Sequence, residues 1–440
     1  MPLDAHSNCD GLSLPRAFWS HFVERHWEKS PLVIKRPSAP PLATADEMFG
    51  ALVAASDQYR LGERESRAEV ERRARVRFNV GDARTGHAQL MTDVGRHLPQ
   101  SADESIAGYA RRLARQSGDM QFELIVHHFQ AFSADLWLRM SEFFRGLYEF
   151  IGIPAEKSEA VVFLRNHETT SFGLHQDAAG VFMFILEGRK RVLTWPQEFF
   201  ADRANAACTL DYQQFRGDAV ILEGGPGDII YWPSGHWHVA ESSGPLSVSI
   251  SLGLRLHYEP VTEVLRYLGR AVGARLGETS VVDTYPFDPN GLQQSAEAMP
   301  AAMEAAFETV KSVCRSSELE RLIKLAWLNR VTSFGFLRVP PPLPHRSLGE
   351  CEIIRGRPGH PVVWIPWDDG QIACSANGHT IKVKGTAQVI RLVEVLNTGG
   401  SYSVADIVEE CAGRGAASET ALLRKVLESL FCIRAVEALT

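Results

Sequence analysis

In GLHQDAAGVFMFILEGRKRVLTWP, residues 173–196, a histidine and an aspartate stand two positions apart just before an apolar run. In an extended segment His175 and Asp177 share a face, so an imidazole and a carboxylate can reach one cation. Two imidazoles and one carboxylate on one face of a ferrous ion leave positions open for an organic co-substrate and dioxygen, so a further histidine is required. GDIIYWPSGHWHVAESS, residues 227–243, offers two, His236 and His238. A Gly-Asp turn leads into IIYWP, and Pro233 and Gly235 then bend the chain to present them. The order strand, Pro, x, Gly, x, x, His favours His238 as the ligand and leaves His236 at the mouth of the site or behind the ligands as a donor.

Lys190 lies thirteen positions beyond Asp177, across VFMFIL and a turn at EGRK, and is expected to point back into the same barrel from the neighbouring strand. An ammonium in apolar surroundings needs a counter-charge, and the distal carboxylate of 2-oxoglutarate supplies one. In SVSISLGL, Ser247, Ser249 and Ser251 alternate with Val248, Ile250 and Leu252, and Gly253 and Arg255 continue the hydroxyl parity. With that face inward, Ser249 completes the co-substrate pocket. Each motif alone is ordinary: with 15 histidines an H-x-D pair arises by chance, and GD and PSG are common hairpin turns. The reading rests on all four in one order. His127 and His128 read as packed or hydrogen-bonded, Arg165, Asn166 and His167 as lining the pocket mouth or solvated, and Trp327 as helical core.

The elements that must position these residues follow from pattern. Between Ala160 and Leu256 short β runs (AVVFL, VFMFIL, RVLTW, AVILEG, DIIYWP, SVSISLGL) alternate with Gly and Pro turns, which predicts a barrel or sandwich. An amphipathic helix with Phe18, Phe22 and Trp27 precedes Pro31 and the strand LVIK, MQFELIVH is a strand, and residues 133–152 form a helix. Residues 63–77 read as a solvated, mixed-charge helix face. Helical patterns return from about Pro260 to Arg338, and PPPLPH, residues 340–345, is a stiff linker. Strands and three short helices fill the remainder, with Gly399 and Gly400 capping the first of those helices.

At 440 residues, two or three domains are expected. Apolar content of 45% with 22% charged residues excludes global disorder. A net charge of -7 speaks against polyanion binding, and from Cys351 onward nine Lys and Arg face ten Asp and Glu, so no nucleic-acid footprint is visible. Seven scattered cysteines without a C-x-x-C pair point to a reducing compartment. No apolar window reaches the roughly 18 to 20 residues of a membrane span, so a cytoplasmic protein without membrane partners is expected.

The segments HWEKSPLVIKR, HQD, EGRKRVLTWP and GDIIYWPSGHWH together resemble JmjC-type cupin oxygenases, in particular the ribosomal-oxygenase-like branch of iron and 2-oxoglutarate-dependent hydroxylases. The resemblance spans about residues 14–256. It implies iron bound by His175, Asp177 and His238, and 2-oxoglutarate held through Lys190. Gln176, where many relatives carry tyrosine, and the small residues Ala178, Ala179 and Gly180 depart from the pattern, so the substrate-facing wall is not carried over. The implied fold class is α+β: a double-stranded β-helix (jelly-roll, cupin) catalytic core over 1–258, a helical and dimerising segment over 259–339, and a winged-helix-like domain over 346–440. The implied activity is hydroxylation, with dioxygen, of an amino-acid side chain in a protein or ribosomally made peptide, by a homodimer. Action on a free amino acid or small metabolite, demethylation, and a non-catalytic peptide-binding cupin are the alternatives.

Overall fold

The computed structural model describes residues 3–4, 14–35, 41–62, 75–81, 88–91, 94–117, 121–168, 172–201, 212–277, 299–413 and 417–439. The chain divides into two units, residues 1–257 with 333–342, and residues 258–332 with 343–440. Most of the mixed-charge stretch, residues 63–74, lies outside the described residues. Its end, from Val76, is a strand and not a helix face.

In the first unit the elements run β1 (Leu3–Asp4), α1 (Arg16–Arg25), β2 (Leu32–Lys35), α2 (Ala45–Gly62), β3 (Val76–Gly81), β4 (Ala88–Leu90), α3 (Ile106–Ser117), β5 (Gln121–His127), α4 (Ala134–Ile151), β6 (Lys157–Arg165), β7 (His175–Gln176), β8 (Ala179–Trp195), β9 (Val220–Gly224), β10 (Ile229–Trp232) and β11 (Trp237–Arg255). One sheet joins the strands in the order β1-β2-β10-β8-β11-β6-β5-β3-β4, with β7 on β11 and β9 on β8. This is the cupin core of an α+β fold. Its outward residues Phe182 and Phe184 pack under α1 and α4, where Phe143 meets Phe184 at 5.0 Å and Trp19 at 5.2 Å, both edge-on. Each such fully buried ring contributes about 2–3 kcal/mol of transfer free energy. Helix α1 stops at Arg25, short of Pro31, because Glu28 turns at φ 52 and its N–H donates to Tyr231 Oη at 2.8 Å. Helix α4 starts at Ser133, whose hydroxyl accepts the Leu136 N–H at 3.2 Å.

EGRK is not a turn between neighbouring strands. Strand β8 runs through it unbroken for 17 residues. At Gly188 the backbone takes φ 73, and a Cβ there would stand 2.7 Å from the Leu246 carbonyl oxygen. Opposite, β11 shifts register between Ser243 and Val248. This bulged corner reverses which face points inward. Ala179, Val181, Met183 and Ile185 share an interior cluster with Val192, and Lys190, an odd number of positions from Ala179, lines the same cavity. A regular strand would have sent that amine outward.

The second unit carries α5 (Pro260–Leu276), α6 (Ala301–Arg315) and α7 (Glu318–Thr332), then β12 (Ile353–Gly356), β13 (Val363–Pro366), β14 (Gln371–Ala376), β15 (His379–Lys384), α8 (Ala387–Asn397), β16 (Ser401–Ser403), α9 (Val404–Ala412), α10 (Ala417–Cys432) and β17 (Val436–Leu439). Two three-stranded sheets, β16-β12-β17 and β13-β14-β15, accompany α8 to α10 over a core that includes Leu392, Ile407, Leu423 and Leu427. Gly399, at φ 75, ends α8. Trp327 is not core: it is 59% exposed. The inner face of α7 is polar, with Asn329 Oδ1 accepting from Ser375 at 3.0 Å and from Thr380 at 2.6 Å, which leaves the indole outside. Among the described residues no helix is long and apolar enough to cross a membrane.

Candidate metal centre and its cavity

Two residues of β7 pair antiparallel with the start of β11, setting His175 opposite His238 with ring centroids 4.2 Å apart. Asp177 follows directly, its Oδ2 3.6 Å from His238 Nε2. The H-x-D segment is tied to the Pro-Gly turn twice: Gly235 N–H donates to the Asp177 carbonyl at 2.9 Å, and Gln176 Nε2 donates to the Gly235 carbonyl at 2.7 Å. The three residues offer ligand atoms that all lie within 4.8 Å of one another. His236 is absent from that cluster. Its carbonyl instead accepts from His238 Nδ1 at 3.1 Å, and the Gly173 carbonyl does the same for His175 at 3.0 Å. Each Nδ1 therefore carries the proton, and each Nε2 lone pair is free for a cation. Burial first, then His175, pushes His238 down to about 4, so its ring is neutral near pH 7.

The three residues line a cavity of about 330 Å³ together with Lys190, Ser249, Ser251, Gly253 and Arg255. Lys190 is 2% exposed. Its Nζ donates to Ser242 Oγ at 2.9 Å, and the same oxygen accepts from Arg165 Nε at 2.7 Å. Among the described residues no carboxylate comes within ion-pair distance of this amine, and burial, then Arg165, holds its proton affinity well below the ordinary lysine value, with Glu123 opposing. Ser249 Oγ is buried without a hydrogen-bond partner among the described residues. A buried cation lacking a counter-charge and a buried hydroxyl lacking a partner are both costly unless a ligand completes them. Two imidazoles with one carboxylate suit a divalent transition ion, and the Lys190 end suits an anion. The residues fit a metal with an anionic co-ligand.

Several lining residues were placed only in part by the sequence, or not at all. Arg165 is at neither the mouth nor the surface: it is buried, 3.6 Å from Glu123. His127 is hydrogen-bonded, with Nδ1 3.1 Å from Glu159 Oε1, yet it lines the cavity, as do Glu159 and Arg77. The available signal was period-2 charge inside apolar strands: Glu123 and His127 in β5, Glu159 and Arg165 in β6.

Residues 147–260 match a JmjC domain. Among solved structures the chain is similar to YcfD, a ribosomal oxygenase from Escherichia coli, with a TM-score of 0.51 at 17% sequence identity over 100% of both chains. YcfD in complex with cobalt and 2-oxoglutarate gives a TM-score of 0.50 at 17% identity, over 96% of this chain and 98% of that one. At this identity the likeness establishes a shared fold. A search of curated proteins finds no match.

Proposed function

We propose that the chain is an Fe(II)- and 2-oxoglutarate-dependent dioxygenase that hydroxylates an amino-acid side chain in a protein or ribosomally synthesised peptide. The observation that carries this reading is the convergence of His175, Asp177 and His238 in a cavity that also holds a buried amine with, among the described residues, no carboxylate within ion-pair distance. That YcfD, in the same fold, is described with cobalt and 2-oxoglutarate supports the choice of metal and co-substrate.

His175, Asp177 and His238 would hold iron, which with 2-oxoglutarate and dioxygen supplies an oxidant that converts C–H to C–OH while 2-oxoglutarate becomes succinate and carbon dioxide. Lys190 pairs with the distal carboxylate of the co-substrate, and Ser249 Oγ–H donates a second bond to it. Ser242 and Arg165 hold the Lys190 amine in place. Ala179, Val181, Met183 and Trp232 give the cavity an apolar lining that excludes water from the reacting carbon. Residues 346–440 are the winged-helix-like module of this enzyme.

Incubating the full chain with Fe(II), 2-oxoglutarate and a pool of peptides from its own proteome is expected to add one oxygen to one side chain, read by mass spectrometry, with matching succinate. Succinate without an oxidised peptide moves the substrate to a small metabolite, a lost methyl group indicates demethylation, and no succinate removes the oxygenase reading. We also read the exposed apolar side chains Val261, Leu265, Met303 and Phe307 on α5 and α6 as covered by a second copy. Light scattering is expected to give twice the chain mass. A monomer at micromolar concentration ends that reading.

A further inference from the structure

The cavity holds a buried hydrogen-bond acceptor that neither the metal centre nor Lys190 uses. His127 ends β5 on the inward parity of Glu123 and Ile125, and all three line the cavity. Its Nδ1 lies 3.1 Å from Glu159 Oε1, whereas its Nε2 is buried without a hydrogen-bond partner among the described residues. The Glu159 carboxyl also lies 3.4 Å from His128 Nδ1 and 3.8 Å from Lys157 Nζ. Burial raises its pKa, but the His127 hydrogen bond, His128 and Lys157 prevail and hold it at about 2. An ionised carboxylate only accepts, so it keeps the His127 proton on Nδ1. In the neutral ring Nε2 then presents a lone pair to the cavity, which is costly until a donor reaches it.

The strand registers place this acceptor. One row of paired residues runs Glu159, Gly253, Val181, Trp232 across β6, β11, β8 and β10, and the Trp232 ring lies 4.9 Å from the His238 ring. Arg165, which shares Ser242 with Lys190, is six residues from Glu159 along β6, roughly 20 Å at about 3.3 Å per residue. The next row runs His127, Val161, Ser251, Met183, and all four line the cavity. Ser251, 8% exposed, offers a hydroxyl two strands from His127, roughly 9 to 10 Å at about 4.8 Å per strand. An acceptor and a hydroxyl thus flank an apolar valine. A carboxamide donates through its N–H and accepts through its carbonyl, and with two hydrogen bonds of about 3 Å each it bridges most of that span. On the other side of Glu159, Lys157 stands opposite Arg255, which disfavours an ammonium or a guanidinium.

We infer that His127, oriented by Glu159, and Ser251 form a substrate subsite for a carboxamide, and that the group seated there is an asparagine or glutamine side chain of the peptide substrate. The inference deepens the oxygenase reading and rests on it for calling the guest a substrate, but the donor preference is measurable without turnover.

The test is titration of the full metal-free chain, its histidine rings labelled with nitrogen-15, at alkaline pH with propionamide, N,N-dimethylpropionamide, propionate and propylammonium. The free chain is expected to show the His127 proton on Nδ1, assigned by the signals lost in His127→Phe. Propionamide is expected to move the Nε2 resonance and to bind about fivefold tighter than its dimethyl analogue, the size of one neutral hydrogen bond, with both charged fragments weaker. By saturation transfer from protein to fragment, His127→Phe should bring the two amides within about twofold of one another. Ser251→Ala should weaken both amides alike, since each keeps its carbonyl. A proton on Nε2, a ring holding both protons, equal or absent binding, a charged fragment that binds tighter, or a preference that survives His127→Phe overturns the inference. The parent chain's response to the two amides carries the test even where a variant does not fold. Gly-Ala peptides carrying Gln or Asn are then compared with free glutamine, and free glutamine binding as tightly keeps the carboxamide subsite but overturns its peptide source. The visible Co(II) spectrum separates the two readings: no response to 2-oxoglutarate sinks the oxygenase assignment, whereas the amide preference of the metal-free chain stands or falls alone.

Discussion

Lys190→Met is expected to weaken 2-oxoglutarate binding by about two to three orders of magnitude while making the protein more stable. The loss follows from removing one partner of a desolvated charge pair, which costs about 2–5 kcal/mol. The gain follows from the unliganded cavity, where the buried amine leans on a hydroxyl that Arg165 also uses, so a linear apolar side chain of similar length relieves about 1–3 kcal/mol. The pH dependence has a definite sign. Because the native proton affinity of Lys190 lies well below the ordinary lysine value, the unfolded chain holds a proton in that interval that the native chain lacks. The destabilisation is complete below the native pKa and is relieved as pH rises toward the unfolded value. A distal carboxylate favours the charged amine, so 2-oxoglutarate binding takes up a proton and weakens as pH rises above the unliganded pKa. Calorimetry in buffers of different ionisation enthalpy, with thermal unfolding of both proteins, checks each part. Unchanged co-substrate affinity in the variant removes Lys190 from the site.

Asp177→Ala carries the second large effect. Two imidazoles remain, and divalent-metal affinity is expected to fall by more than about a hundredfold, since loss of groups merely behind the ligands already costs about 10–100-fold. Hydroxylation should disappear. The side chain of Asp177 is 43% exposed, so the unfolding temperature should not move. His236→Ala is the contrast: the cluster uses the carbonyl of this residue and not its ring, so Co(II) titration should match the parent chain. Wild-type metal binding by Asp177→Ala would refute the donor set.

The convergence of His175, Asp177 and His238 was legible because these residues keep local relations: H-x-D holds two side chains on one face whatever the fold, and a Pro-Gly turn fixes where His238 emerges. Choosing His238 over His236 needed only that spacing. Lys190 was expected to point inward after a turn at EGRK that the structure does not have; its inward direction depends instead on a register shift in a strand more than fifty residues later, around Ser243 to Val248. No local pattern encodes such a pairing. Arg165 was read only as a mouth or solvated residue, and Arg77 was missed, for the related reason that sequence shows a charged residue in a strand without showing whether that face is enclosed. Trp327 was misplaced because a large aromatic is usually interior, and only the polar seam of Asn329 with Ser375 and Thr380 turns it out.

The corner at Gly188 also governs which changes this chain tolerates. Adding or deleting a single residue between Ile185 and Lys190 would exchange the two faces of everything downstream, sending the amine, Val192 and Thr194 outward and drawing Arg189 and Arg191 in. Spacing there is held as tightly as side-chain identity is elsewhere, so variation can proceed by replacement but not by a change of length.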